Sequence, residues 1–86
     1  MKIKNGFFIT SIEGKSIVSV DNNSDVSFNG IVILNQVGLD IWNILMEGCT
    51  FDELIDCLNQ KYNVSSDILV KDVNSFLEKI DFAIEK

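Results

Sequence analysis

Residues 31–45 read IVILNQVGLDIWNIL, and the change of rhythm inside this stretch decides the fold. Ile31, Val32, Ile33 and Leu34 form an unbroken apolar run that stops at Asn35. A short apolar run rich in β-branched residues predicts a strand buried on both faces. Beyond it, Val37, Ile41, Ile44 and Leu45 recur at helical spacing, and Asn35 is a favoured helix N-cap. In so small a chain, a strand apolar on both faces needs cover on each. One face can meet the helices. The other is covered either by the chain's own hairpin and third helix or by a docking partner.

Working outward, Phe7–Ile12 and Lys15–Val20 are two β-rich runs joined by Glu13-Gly14, which predicts a hairpin. Residues 21–25 (DNNSD) read as a polar loop and 26–28 as weakly strand-like. Asn29-Gly30 reads as a bend or bulge leading into a third strand at 31–34. The first helix carries Leu39, Trp42 and Met46 as a second apolar face, which makes it a central helix with Trp42 in the core, and Gly48 follows its end. Thr50 and Glu53 form a capping box for a second helix, whose stripe is Phe51, Leu54, Ile55, Leu58 and Tyr62 and which ends at Asn63. Ser65 or Ser66 caps a third helix with the stripe Leu69, Val73, Phe76, Leu77 and Ile80. Whether residues 81–86 continue it stays open. The order β-β-β-α-α-α predicts one α+β domain over residues 1–86, with a three-stranded antiparallel sheet followed by three helices, as in a winged helix.

Composition narrows the function. The chain is 47% hydrophobic and 23% charged with no Pro, which is globular composition. No apolar run is long enough to span a membrane, and the opening MKIKNGFFITSIEGK has no signal-peptide core, so a cytoplasmic protein is expected. The net charge is −6, and it lies in residues 34–86, where four lysines meet ten acids. Residues 1–33 balance three lysines against three acids. An acidic surface repels phosphate backbones and anionic lipid, so neither nucleic acid nor membrane is an expected partner. There is no His, and Cys49 and Cys57 lie eight apart; both are expected in or near the core, with no zinc site. Without a base beside a nucleophile, a phosphate loop or a calcium loop, the chain is expected to bind rather than catalyse, with no cofactor and no metal.

Taken in order, Leu34-Asn35, Gly38, Ile41-Trp42, Leu45, Gly48, Thr50, Glu53-Leu54, Leu58, Tyr62, Val64, Asp72-Val73 and Phe76-Leu77 resemble the PqqD-like family. The resemblance implies a stand-alone adaptor that holds the leader of a ribosomally made precursor peptide and presents it to a modifying enzyme, often a radical SAM protein. It also implies that the leader adds as a strand along Ile31, Val32, Ile33 and Leu34, against the third helix. The helix positions expected to wall that groove are Val70, Asn74 and Leu77, which flank the helix's core stripe. Many members carry an Arg in the first strand, where this chain has Thr10-Ser11, and many end in Gly after the third helix. Two other readings use the same parts. One is a winged-helix nucleic-acid-binding regulator; the other is a homodimer paired through residues 31–34.

Overall fold

The computed structural model describes residues 1–20 and 32–85. The expectations for 21–25, 26–28, Asn29-Gly30 and Ile31 fall outside the described residues. Among the described residues the elements follow in the order β1 (Lys2–Ile3), β2 (Phe7–Ile12), β3 (Lys15–Val20), β4 (Ile33–Leu34), α1 (Gln36–Glu47), α2 (Phe51–Tyr62) and α3 (Ser66–Lys79). A 3₁₀ turn, Asp81–Ala83, then leads into β5 (Ile84–Glu85). The main sheet is antiparallel in the order β2-β3-β4. The three-stranded sheet followed by three helices is thus present, and the fold is α+β.

The hairpin forms where the turn chemistry asks for it. Glu13 and Gly14 both take positive φ, 50° and 78°, as a two-residue primed turn requires. This sets Ile12 opposite Lys15 and Phe7 opposite Val20. Period-two alternation then sends Phe7, Val18 and Leu34 into the core. On the outer face Phe8, Ile12 and Ile33 stand exposed.

The helices obey their caps. The Asn35 side chain accepts from the Gly38 N–H at 2.8 Å. At α2 the box closes in both directions, Glu53 N–H to Thr50 Oγ1 at 3.1 Å and Thr50 N–H to Glu53 Oε1 at 2.9 Å. Gly48, with φ 91°, ends α1, and Asn63 ends α2 in the left-handed conformation. Trp42, Ile41 and Leu45 of α1 are fully buried among Leu54 and Leu58 of α2 and Val73 of α3, with Ile80 following. The Phe7 ring meets Trp42 edge-on at 6.4 Å and Phe82 at 5.5 Å. Each such buried side chain contributes about 1.5–3 kcal/mol.

Several expectations need correction. Among the described residues of the expected third strand, Ile33–Leu34 lie in the ladder and Val32 falls just outside it, although the Val32 carbonyl still accepts from the Val18 N–H at 2.9 Å. Residues 81–85, left open by the sequence, do not extend α3. They form the 3₁₀ turn and then β5, which pairs with β1, so two strands too short to show a period were missed. Ser65 stands at the α3 N-cap position but makes no side-chain cap bond. Cys57 is exposed rather than near the core, and Cys49 is half-buried. Phe51 and Tyr62 pack at the core margin instead of inside it, and Met46 is exposed because the second face of α1 is only partly covered. No helix among the described residues is long and apolar enough to cross a membrane.

Candidate functional site

Among the described residues, β4 pairs on one side only. Ser16 faces Leu34 and Ile17 faces Ile33, while no described strand lies along the opposite edge. The two residues of β4 split between environments. Leu34 is 5% exposed and anchors the strand in the core, while Ile33 is 56% exposed. Ile33 is therefore left uncovered by the described part of the chain. Val32 lies between these extremes, packed against the core margin.

The chain leaves β4 through Asn35 directly into α1, so the first turn of α1 stands beside the end of the open edge. There it forms one wall of a hollow of about 390 Å³. Asn35, Val37, Gly38 and Ile41 make this wall; Leu69, Asp72, Val73, Ser75, Phe76 and Lys79 of α3 make the other, with Val64 at one end. The floor is apolar, and Asp72 and Lys79 contribute one charge of each sign. Gly38 permits the approach of the two helices: a Cβ built there would lie 2.9 Å from Phe76 Cε1.

None of the expected wall positions Val70, Asn74 and Leu77 lines this hollow. Asn74 and Leu77 line a second hollow of about 650 Å³ with Met1, Glu78, Asp81, Ile84 and Glu85, on the opposite flank of α3. Neither hollow's lining includes Ile33 or Leu34. Val70 is half-buried against the core. Sequence reasoning passed over Gly38, Ser75, Phe76 and Lys79 as site residues. The available signal was Gly38, a glycine inside a helix at the cost of helix propensity, which marks a close approach.

Beside the hollow, Asp40 of α1 ties α2 in place. Its carboxylate accepts from the Tyr62 hydroxyl and from Gln36 Nε2 at 3.2 Å, and pairs with Lys61 at 3.0 Å. Burial pushes the Asp40 carboxyl up, but the hydrogen bonds from Tyr62, Lys61 and Gln36 and the Lys61 charge outweigh it. The group ends below the ordinary carboxylate value. The same bond to Asp40 is the main reason that Tyr62 is raised. Burial raises the Cys49 thiol, which makes it a poor nucleophile. No group of three or more His, Cys, Asp or Glu side chains that could hold a metal ion occurs among the described residues.

Residues 12–81 match the sequence model of the family described as coenzyme PQQ synthesis protein D, PqqD. A solved structure described as TbiB1 in complex with the TbiA(beta) leader peptide is similar in fold, with a TM-score of 0.72 and 23% identity over 94% of this chain and 88% of that one. No curated protein matches the chain.

Proposed function

The chain belongs to the PqqD family, and on that premise we propose that it binds the leader of a ribosomally made precursor peptide and presents it to a modifying enzyme. The observation that carries the reading is the open edge of β4, with Ile33 exposed on it, running into the hollow between α1 and α3. An added peptide strand would pair its backbone with β4 and residues 31–34, and take its specificity from side-chain pockets beside the strand. The similar TbiB1 structure is a complex with a leader peptide, which supports the same class of ligand here.

On this reading Ile31, Val32, Ile33 and Leu34 form the docking line, and the Phe76 flank of α3 receives a leader side chain. What supports this flank is continuity: Asn35 and Val37, next along the chain from β4, line the same hollow. Val70, Asn74 and Leu77 are the rival wall. Ordering a flexible peptide offsets several kcal/mol of the gross interaction. A net affinity near micromolar, about −8 kcal/mol, is expected. The domain acts as a carrier in the cytoplasm, without catalysis of its own, and a radical SAM protein is the expected class of enzyme. The regulator reading lacks a basic recognition helix: α2 and α3 together hold three lysines against six acids.

The test is NMR shift mapping of the labelled chain with the leader of its cognate precursor peptide. Perturbed amides at 32–35 and on α1 and α3 around Gly38 and Phe76 are expected. Perturbation at Val70, Asn74 and Leu77 instead moves the wall to the other flank. Shifts confined to α2, with β4 silent, defeat the reading.

A further inference from the structure

The three-stranded sheet has a second open edge. β2 spans six residues, FFITSI, and among the described residues it pairs only with β3. The two-residue turn makes Ile12 and Lys15 a hydrogen-bonded pair, so by alternation the backbone groups of Phe8, Thr10 and Ile12 point toward β3. Those of Ile9 and Ser11 point outward, and no described backbone group meets them. Edge strands are normally protected by charge, proline or a bulge. β2 has no charged residue and no proline, and its register with β3 is unbroken.

We infer that this edge pairs antiparallel with β2 of a second copy of the chain. Identical edges related by a two-fold axis are complementary by construction. With the axis at Thr10, Ile9 of one copy and Ser11 of the other form hydrogen-bonded pairs. Phe8 then stands opposite Ile12 twice over on the outer face. Both side chains are exposed in the single chain, at 45% and 51%. Aromatic and β-branched residues facing each other across strands stabilise a sheet. Charge does not oppose the pairing: β2 carries no charge, and at the hairpin turn Glu13 and Lys15 offset each other. A sequence-specific peptide is a poorer occupant, because neither hollow has a β2 residue in its lining. The dimer forms one six-stranded sheet with both β4 edges at its ends, open to ligand.

Sedimentation of the full chain from about 10 μM to about 1 mM brackets the weak self-affinity that a single strand edge supports. The mass should climb from 9.7 kDa toward twice that value. Ser11→Pro removes an outward N–H, and Phe8→Lys places a charge in the pair; each should weaken association at least tenfold, with circular dichroism unchanged. Ile33→Lys, on the other edge, should leave it intact. Residues facing at a non-hydrogen-bonded pair lie about 4.5 Å apart at Cα, within disulfide range. Thr10→Cys in a Cys57→Ser background should therefore cross-link to its own copy on mild oxidation, and Ser11→Cys much less. A monomer throughout the range overturns the inference. So does a dimer lost in Ile33→Lys but kept in Ser11→Pro, which belongs to the β4 edge.

Discussion

Gly38 and Phe76 touch more closely than any side chain at position 38 would allow, since a Cβ there would lie 2.9 Å from the Phe76 ring. Gly38→Ala sets two effects against each other. Alanine favours the helix by up to about 1 kcal/mol. Overpacking costs about 1–3 kcal/mol when the neighbours cannot move, but the Phe76 ring borders the hollow and can swing into it. Stability should change by less than about 1.5 kcal/mol in urea melts, as the two terms partly cancel. Leader binding should fall by roughly tenfold, about 1.4 kcal/mol. Unchanged affinity with Phe76 displaced would show that the hollow is not used.

Ile33 tests the edge itself. It is already in solvent, so Ile33→Asp should leave the thermal midpoint nearly unchanged while putting a charge beside the docking line. Leader affinity should drop by about ten- to hundredfold, or about 1.4–2.7 kcal/mol, by calorimetry. Leu34→Ala, at the next position along the strand, should instead cost about 2–5 kcal/mol of stability, because its side chain is buried.

Asp40 sets an acid limit. Its folded-state pKa lies below the ordinary value, so the native protein binds fewer protons there than the unfolded chain. Its contribution is present above the unfolded value, near 3.9, and is lost as pH falls through the folded one. Tyr62 runs the other way: its pKa is raised, so its share is present below the ordinary tyrosine range and lost as pH rises through the raised value. Lys61 is 56% exposed, so the bond to Tyr62 should matter more than the ion pair. Tyr62→Phe should flatten stability at both the acid and alkaline ends, followed by urea melts across pH. A profile unchanged from the parent excludes the assignment.

The two serine and threonine N-caps should differ. Thr50→Ala breaks a closed box and should cost about 1 kcal/mol. Ser65→Ala removes a hydroxyl that caps nothing and should cost little. Equal losses from the two substitutions in denaturant unfolding would contradict the geometry.

The parts of the fold legible in the sequence were those with local causes. Glu13-Gly14 dictated the hairpin turn, Asn35 and Thr50 the helix starts, and the 3.6-residue spacing of Ile41, Leu45, Leu54 and Leu58 the core. The site was legible only in part. The run 31–34 announced an unusual strand, and among its described residues Ile33 is exposed. Periodicity on α3 could mark two flanks, Phe76 on one and Leu77 on the other, but not which one the start of α1 would face. That depends on the packing angle between helices distant in sequence. β1 and β5, each two residues long, carry no period at all; their pairing follows from tertiary packing.

That pairing has a kinetic consequence. Ile3 and Ile84 lie opposite each other across nearly the whole chain, and both are buried. The hairpin β2–β3 closes over two residues, whereas the β1–β5 ladder closes a loop of about eighty, whose entropic cost is several-fold RT higher. Pairing of such distant segments gains little until the intervening helices have already shortened the path. The two segments therefore join late in folding and separate early in unfolding. Amide exchange at Lys4, whose N–H bonds the Ala83 carbonyl at 2.8 Å, reports that opening, ahead of the hairpin and the helical core.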